Sequence, residues 1–83
     1  MSKLVEEYLR HILQEASYLI SHSQDLTLAI FLGDETKMRA FARSLEIIGE
    51  AAKNVPHEHR DKHQNVDWKA MAGMRDRLIH GYF

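Results

Sequence analysis

Arg75, His80 and Tyr82 stand close together at the end of the chain, in the run Arg75-Asp76-Arg77-Leu78-Ile79-His80-Gly81-Tyr82-Phe83. A guanidinium is permanently charged, and its planar fork fits phosphate oxygens. An imidazole takes or gives a proton near neutral pH without special tuning. Tyr82 adds a phenolic hydroxyl. Together these groups suit metal-free attack on a phosphodiester. The plain alternative is a helix end, with Arg75 paired to Asp76 or to a glutamate on another helix. On that reading His80 is simply a histidine favoured at a C-terminus by the macrodipole.

Five positions separate Arg75 from His80, which puts them about 140° apart around a regular helix. They do not share a face as residues four apart do. Either the helix unwinds near His80, which Gly81 permits, or the site is composite. A two-fold interface would bring two copies of each residue around one cleft.

The elements that carry these residues read as helices throughout. There is one proline and there are four glycines, and no sustained alternation marks a strand. The first helix is expected over residues 3–22, where Leu4/Val5, Tyr8/Leu9, Ile12, Ala16 and Leu19/Ile20 recur at helical spacing. Ser23 is the expected N-cap of a short second helix reaching Leu32, which Gly33 ends. A third helix over 34–54 carries a seam of Met38, Phe41, Leu45, Ile48, Ala52 and Val55. Beside the seam, Ala42 and Gly49 form a small-residue stripe where another backbone could come close. Asn54 and Pro56 close that helix. The polar segment 57–65 holds a helical turn or two. Asp67 then caps a last helix through Trp68, Met71, Ala72, Arg75 and Ile79, with Gly81 as its stop. The expected architecture is all-α, an antiparallel up-down bundle in one domain. One side of it stays open, leaving apolar surface for a second copy, another protein or a further segment.

Eighty-three residues bury only about 60–65% of the unfolded chain's surface, so a partner would help. The chain has no cysteine, which excludes disulfides and thiolate metal sites and fits a reducing cytoplasm. No stretch approaches a membrane span, and the N-terminus turns acidic too early for a signal peptide. The expected location is therefore cytoplasmic. Net charge is −1, unevenly spread. Residues 1–36 carry two cations against six carboxylates, and residues 37–83 carry nine against six. An anionic ligand would favour the second half, although ordinary solvated helix surface gives the same count.

The blocks Leu45-Glu46-Ile47-Ile48-Gly49-Glu50-Ala51-Ala52-Lys53, Trp68 and Ala72-Gly73-Met74 followed by the terminal run resemble a known family. It is the HEPN-domain toxins of prokaryotic toxin–antitoxin pairs, in the branch encoded beside a minimal nucleotidyltransferase antitoxin. The likeness covers essentially the whole chain. An R-x4-H alone would be weak; R-x4-H-x-Y downstream of the Leu45–Lys53 block is specific. The resemblance implies an all-helical homodimer acting as a metal-independent endoribonuclease, with no cofactor. Arg75 and His80 would be the catalytic pair, Asp76 the supporting polar residue, and Tyr82 the tyrosine that the nucleotidyltransferase silences with AMP. It also implies a further helix beyond Tyr82, and the domain over residues 1–83 is expected to stand without it. One His80 would accept the proton of a ribose 2′-hydroxyl as it attacks phosphorus. A second His80 or water would protonate the leaving 5′-oxygen, and Arg75 would stabilise the phosphorane. A rival from another class is a non-catalytic helical subunit that serves the nucleotidyltransferase.

Other residues carry weaker readings. His59 and His63, four apart, could chelate zinc with His57 and Glu58 nearby, but Asp61 breaks an H-E-x-x-H pattern. A histidine-rich polar loop accounts for them as well. Trp68 could stack on a base or anchor the last helix. Arg77 reads as a solvated or phosphate-steering residue. Glu46 and Glu50 could face Arg75, Arg39 or Arg43, and His11 and His22 need only surface positions.

Overall fold

The structure is a computed structural model that describes residues 3–77. His80, Tyr82 and the expected stop at Gly81 lie outside the described residues, as does the end of the last helix at Ile79. Five helices follow in order: α1 (Lys3–His22), α2 (Leu28–Leu32), α3 (Glu35–Asn54), α4 (His57–Lys62) and α5 (Trp68–Asp76). The chain is an all-α bundle, as expected, built on α3.

Local chemistry sets the boundaries. Asp34 Oδ1 accepts the Lys37 amide at 2.9 Å and opens α3. Pro56 has no amide hydrogen with which to continue that helix, and Val55 turns to extended backbone. Asp67 Oδ1 accepts the Ala70 amide at 3.0 Å and opens α5. The cap of α2 differs from expectation. Thr27 takes that place, its Oγ1 accepting from the Ile30 amide at 3.2 Å. The Ser23 hydroxyl instead donates back to Ile20 O at 3.0 Å and finishes α1. Asp25 then turns the chain at φ 59°, a left-handed conformation that aspartate tolerates better than most residues.

Helices α1 and α5 both lie on α3. The α1–α3 pair is antiparallel: Lys37 Nζ donates to His22 O at 3.5 Å, while Tyr8 at the other end shares a hollow with Asn54. Ile48, Ala51, Ala52 and Val55 of the α3 side are buried, together with Val5 of α1. Phe41 joins this centre to α2, its ring 5.3 Å from Phe31 and 6.1 Å from Tyr18. The seam expected on α3 is buried only in its second half; Met38, Phe41 and Leu45 are half-exposed. Small residues explain the asymmetry. Ser44, Gly49, Ala51 and Ala52 are all buried, and they let the two neighbouring helices close on that end.

The open side is real. Leu4, Leu13 and Ile20 of α1 are 58–68% exposed, and Leu28, Ile30 and Leu32 of α2 are 58–72% exposed. Among the described residues no helix is long and apolar enough to cross a membrane.

Candidate active site

Gly49 determines where Arg75 sits. A Cβ at position 49 would run into Arg75 Cβ, lie 2.7 Å from Met71 O and 3.0 Å from Arg75 Cα. The α5 backbone therefore rests directly on the α3 backbone, as the small-residue stripe predicted. The next residue, Glu50, reaches across this contact. Its Oε2 lies 3.0 Å from Arg75 Nε, and the Arg75 side chain is 24% exposed. This is a charge contact without a directed hydrogen bond: Nε is enclosed, and its N–H does not aim at the carboxylate.

The other edge of the guanidinium is held from α5 itself. Arg75 Nη1 donates to Asp76 Oδ1 at 3.2 Å. Lys53 Nζ of α3 donates to the same oxygen at 3.1 Å. Glu50, Arg75, Asp76 and Lys53 thus form an alternating chain of charges across the α3–α5 contact. Hydrogen bonding from Lys53, then from Arg75, holds the Asp76 carboxyl below its ordinary value of 3.8. Both pairings of the plain helix-end reading are therefore present, with Asp76 and with a glutamate on another helix. They fix the guanidinium in place and leave Nη2 without a partner among the described residues. An arginine so held can present one donor edge to an oxyanion without first reorganising.

The remaining candidates fall elsewhere. Glu46 pairs with Arg43 and Glu35 with Arg39, so neither reaches Arg75. The His59 and His63 rings lie 4.6 Å apart, yet among the described residues no group of three or more potential ligands gathers to hold a metal. Trp68 is half-exposed. Its Nε1 donates to His63 O at 3.0 Å, tying the α4–α5 connection to the start of α5. Helical periodicity gave no hint of a hollow of about 400 Å³ between α1 and α3, lined by Tyr8, His11, Glu15, Arg43, Glu50 and Asn54 among others. Nor did it single out Lys53, which figured only as the end of the Leu45–Lys53 block and in the cationic surplus of the second half.

A family model described as Ribonuclease HepT-like matches residues 5–83. The chain belongs to the HepT-like family. Similar proteins include "Putative RNase TTE0752" of Caldanaerobacter subterraneus subsp. tengcongensis, 54% identical over 98% of this chain and 72% of that protein. "Putative RNase MJ0127" of Methanocaldococcus jannaschii is 44% identical over 98% of this chain and 67% of its own length. "Probable ribonuclease HepT" of Thermococcus cleftensis is 37% identical over 100% of this chain and 76% of that protein. No solved structure matches the chain significantly. HepT-like membership makes this a ribonuclease of the HEPN type and accounts for the all-helical fold.

Proposed function

We propose that this HepT-like protein is the toxin of a toxin–antitoxin pair, a metal-independent endoribonuclease with Arg75 and His80 as its catalytic residues. The observation that carries the proposal is Arg75: half-buried against α3, held by Glu50 and Asp76, and left with an Nη2 unpartnered among the described residues, in a family of ribonucleases. A guanidinium held in this way stabilises charge on a phosphorane more cheaply than a mobile one, because its ordering cost is met during folding. His80 acts as the base toward the ribose 2′-hydroxyl. Asp76 is a positioning residue that orients the guanidinium through Nη1.

The enzyme works in the cytoplasm as a homodimer, in which the second copy supplies its own Arg75 and His80 to a shared cleft. The exposed leucines and isoleucines of α1 and α2 support an assembled state. Tyr82, two residues from His80, receives AMP from the nucleotidyltransferase antitoxin. The added bulk and negative charge repel an RNA phosphate. The same exposed apolar residues favour one second reading, a non-catalytic helical subunit of that nucleotidyltransferase.

Incubation with labelled RNA in excess EDTA tests the proposal. Cleavage leaving 2′,3′-cyclic phosphate ends, with DNA uncut and activity lost in His80→Ala, is the expected result. Equal cleavage by His80→Ala would assign the activity to a contaminant. Partner binding without cleavage would favour the second reading. Sedimentation measures the dimer, and intact mass after co-expression with the partner reads AMP on Tyr82.

A further inference from the structure

We infer that the hollow between α4, α5 and the end of α3 is a second phosphate subsite, holding the RNA backbone next to the linkage presented to Arg75. The inference rests on the ribonuclease reading above and extends it to how the strand is gripped.

This hollow, of about 610 Å³, is lined by Lys53, His57, Arg60, Lys69, Gly73 and Asp76 among others. Three permanent cations face one carboxylate, and that carboxylate is already engaged by Lys53 and Arg75. Arg60 and Lys69 have no ion-pair partner among the described residues. The Nε of Arg60, like that of Arg75, is enclosed without a hydrogen-bond acceptor among the described residues. An anion in the hollow would meet the outer guanidinium nitrogens of Arg60 rather than this enclosed one. The floor is bare: a Cβ added at Gly73 would meet nothing within 4 Å.

The hollow also has direction. A neighbouring depression shares Lys69 and Gly73 with it and continues to Arg77. At its other side, Asp76 Oδ1 is shared between Lys53 of the hollow and Arg75 of the candidate active site. The cations thus form a track passing within one residue of the guanidinium. A track of this kind suits successive phosphates of a single strand better than one isolated anion. Cations that contact phosphates supply affinity without sequence preference and make binding depend on salt.

The test is fluorescence anisotropy with a 2′-O-methyl RNA oligonucleotide, which binds but cannot be cut, over a range of salt concentrations. The double variant Arg60→Gln/Lys69→Gln should bind roughly tenfold or more weakly at 0.1 M salt, with the log–log salt slope flattened by about 1.4. Gly73→Leu should also weaken binding while keeping the helical circular dichroism of the wild type, since it fills empty space. Arg39→Gln, which removes a cation paired with Glu35 on α3, serves as the control for unspecific charge loss. Affinity in the double variant equal to that of the control overturns the subsite, as does a wild type that does not bind the oligonucleotide. Displacement of the strand by AMP at equal nucleotide concentration would reassign the hollow to a mononucleotide, and so overturn it too. His80→Ala separates the two readings. If it stops cleavage while the double variant still binds normally, the subsite fails and the nuclease stands. If the wild type cuts nothing but the double variant loses binding, the nuclease reading fails and the subsite stands.

Discussion

Gly49 and Arg75 touch backbone to backbone across the α3–α5 contact, with no room between them for a methyl group. The helix that carries the candidate catalytic arginine is therefore seated by a residue far from it in sequence. Gly49→Ala forces α5 outward. Overpacking of this kind costs about 1–3 kcal/mol, whereas helix propensity alone would favour alanine by about 1 kcal/mol. The two effects have opposite signs, so a thermal melt decides. The expected outcome is a midpoint lowered by several degrees, at roughly 4–8 °C per kcal/mol for a domain of this size. A raised midpoint would show that the close approach is not there.

Arg75→Lys keeps the charge and loses the fork. A lysine has its three donors on one atom, so it cannot span Glu50 and Asp76 as the planar guanidinium does while holding a further edge in a fixed direction. RNA cleavage should fall about 10²–10³-fold, the loss typical of one oxyanion donor. Near-normal turnover in the lysine variant would mean that charge alone suffices and the fixed geometry is idle.

Asp76 gives a prediction in pH. Lys53 first, then Arg75, lowers its carboxyl from 3.8. A depressed value in the folded state means that folding favours the ionised form. The contribution is complete above the ordinary carboxylate value and disappears as pH falls through the lowered one. Melts of wild type and Asp76→Asn should therefore differ at pH 7 and converge as the pH drops below about 3.8. A gap that stays constant down to pH 2 would show that the variant acts through something other than this charge.

Asp67 caps the helix that holds Arg75, accepting from the Ala70 amide. Asp67→Ala should cost about 1 kcal/mol in chemical denaturation, while Asp67→Asn should cost little, because asparagine caps as well as aspartate. Equal losses in both variants would place the effect in the carboxylate's charge rather than in the cap.

Much of this was legible in the sequence because the signals were local. The Asp67 cap, the break at Pro56 and the apolar period of α1 each act within one helical turn. The bounds expected for α1, and those for α3 to within its cap residue, are the ones observed. Ser23 misled because serine can end a helix as readily as begin one: its hydroxyl turned back to Ile20 O, leaving the next capping side chain, Thr27, to start α2. Gly49 announced a close approach, but nothing in its neighbourhood said which backbone would arrive. Glu50 had several arginines within plausible reach, and only the placement of α5 selected Arg75. Lys53 and Arg60 belong to the same class. Their roles depend on how α4 and α5 fold back over the end of α3, a long-range relationship that periodicity does not encode. His80 and Tyr82, outside the described residues, rest on the motif alone.

Because α1 and α5 each find their principal support on α3, the molecule divides its labour between two flanks. Changes on α1 reach Arg75 through α3, whose Glu50 shares a hollow with Tyr8, His11 and Glu15 of α1 and also contacts the guanidinium. Evolution on the outer flank is thus answerable to the guanidinium through the helix that both flanks share.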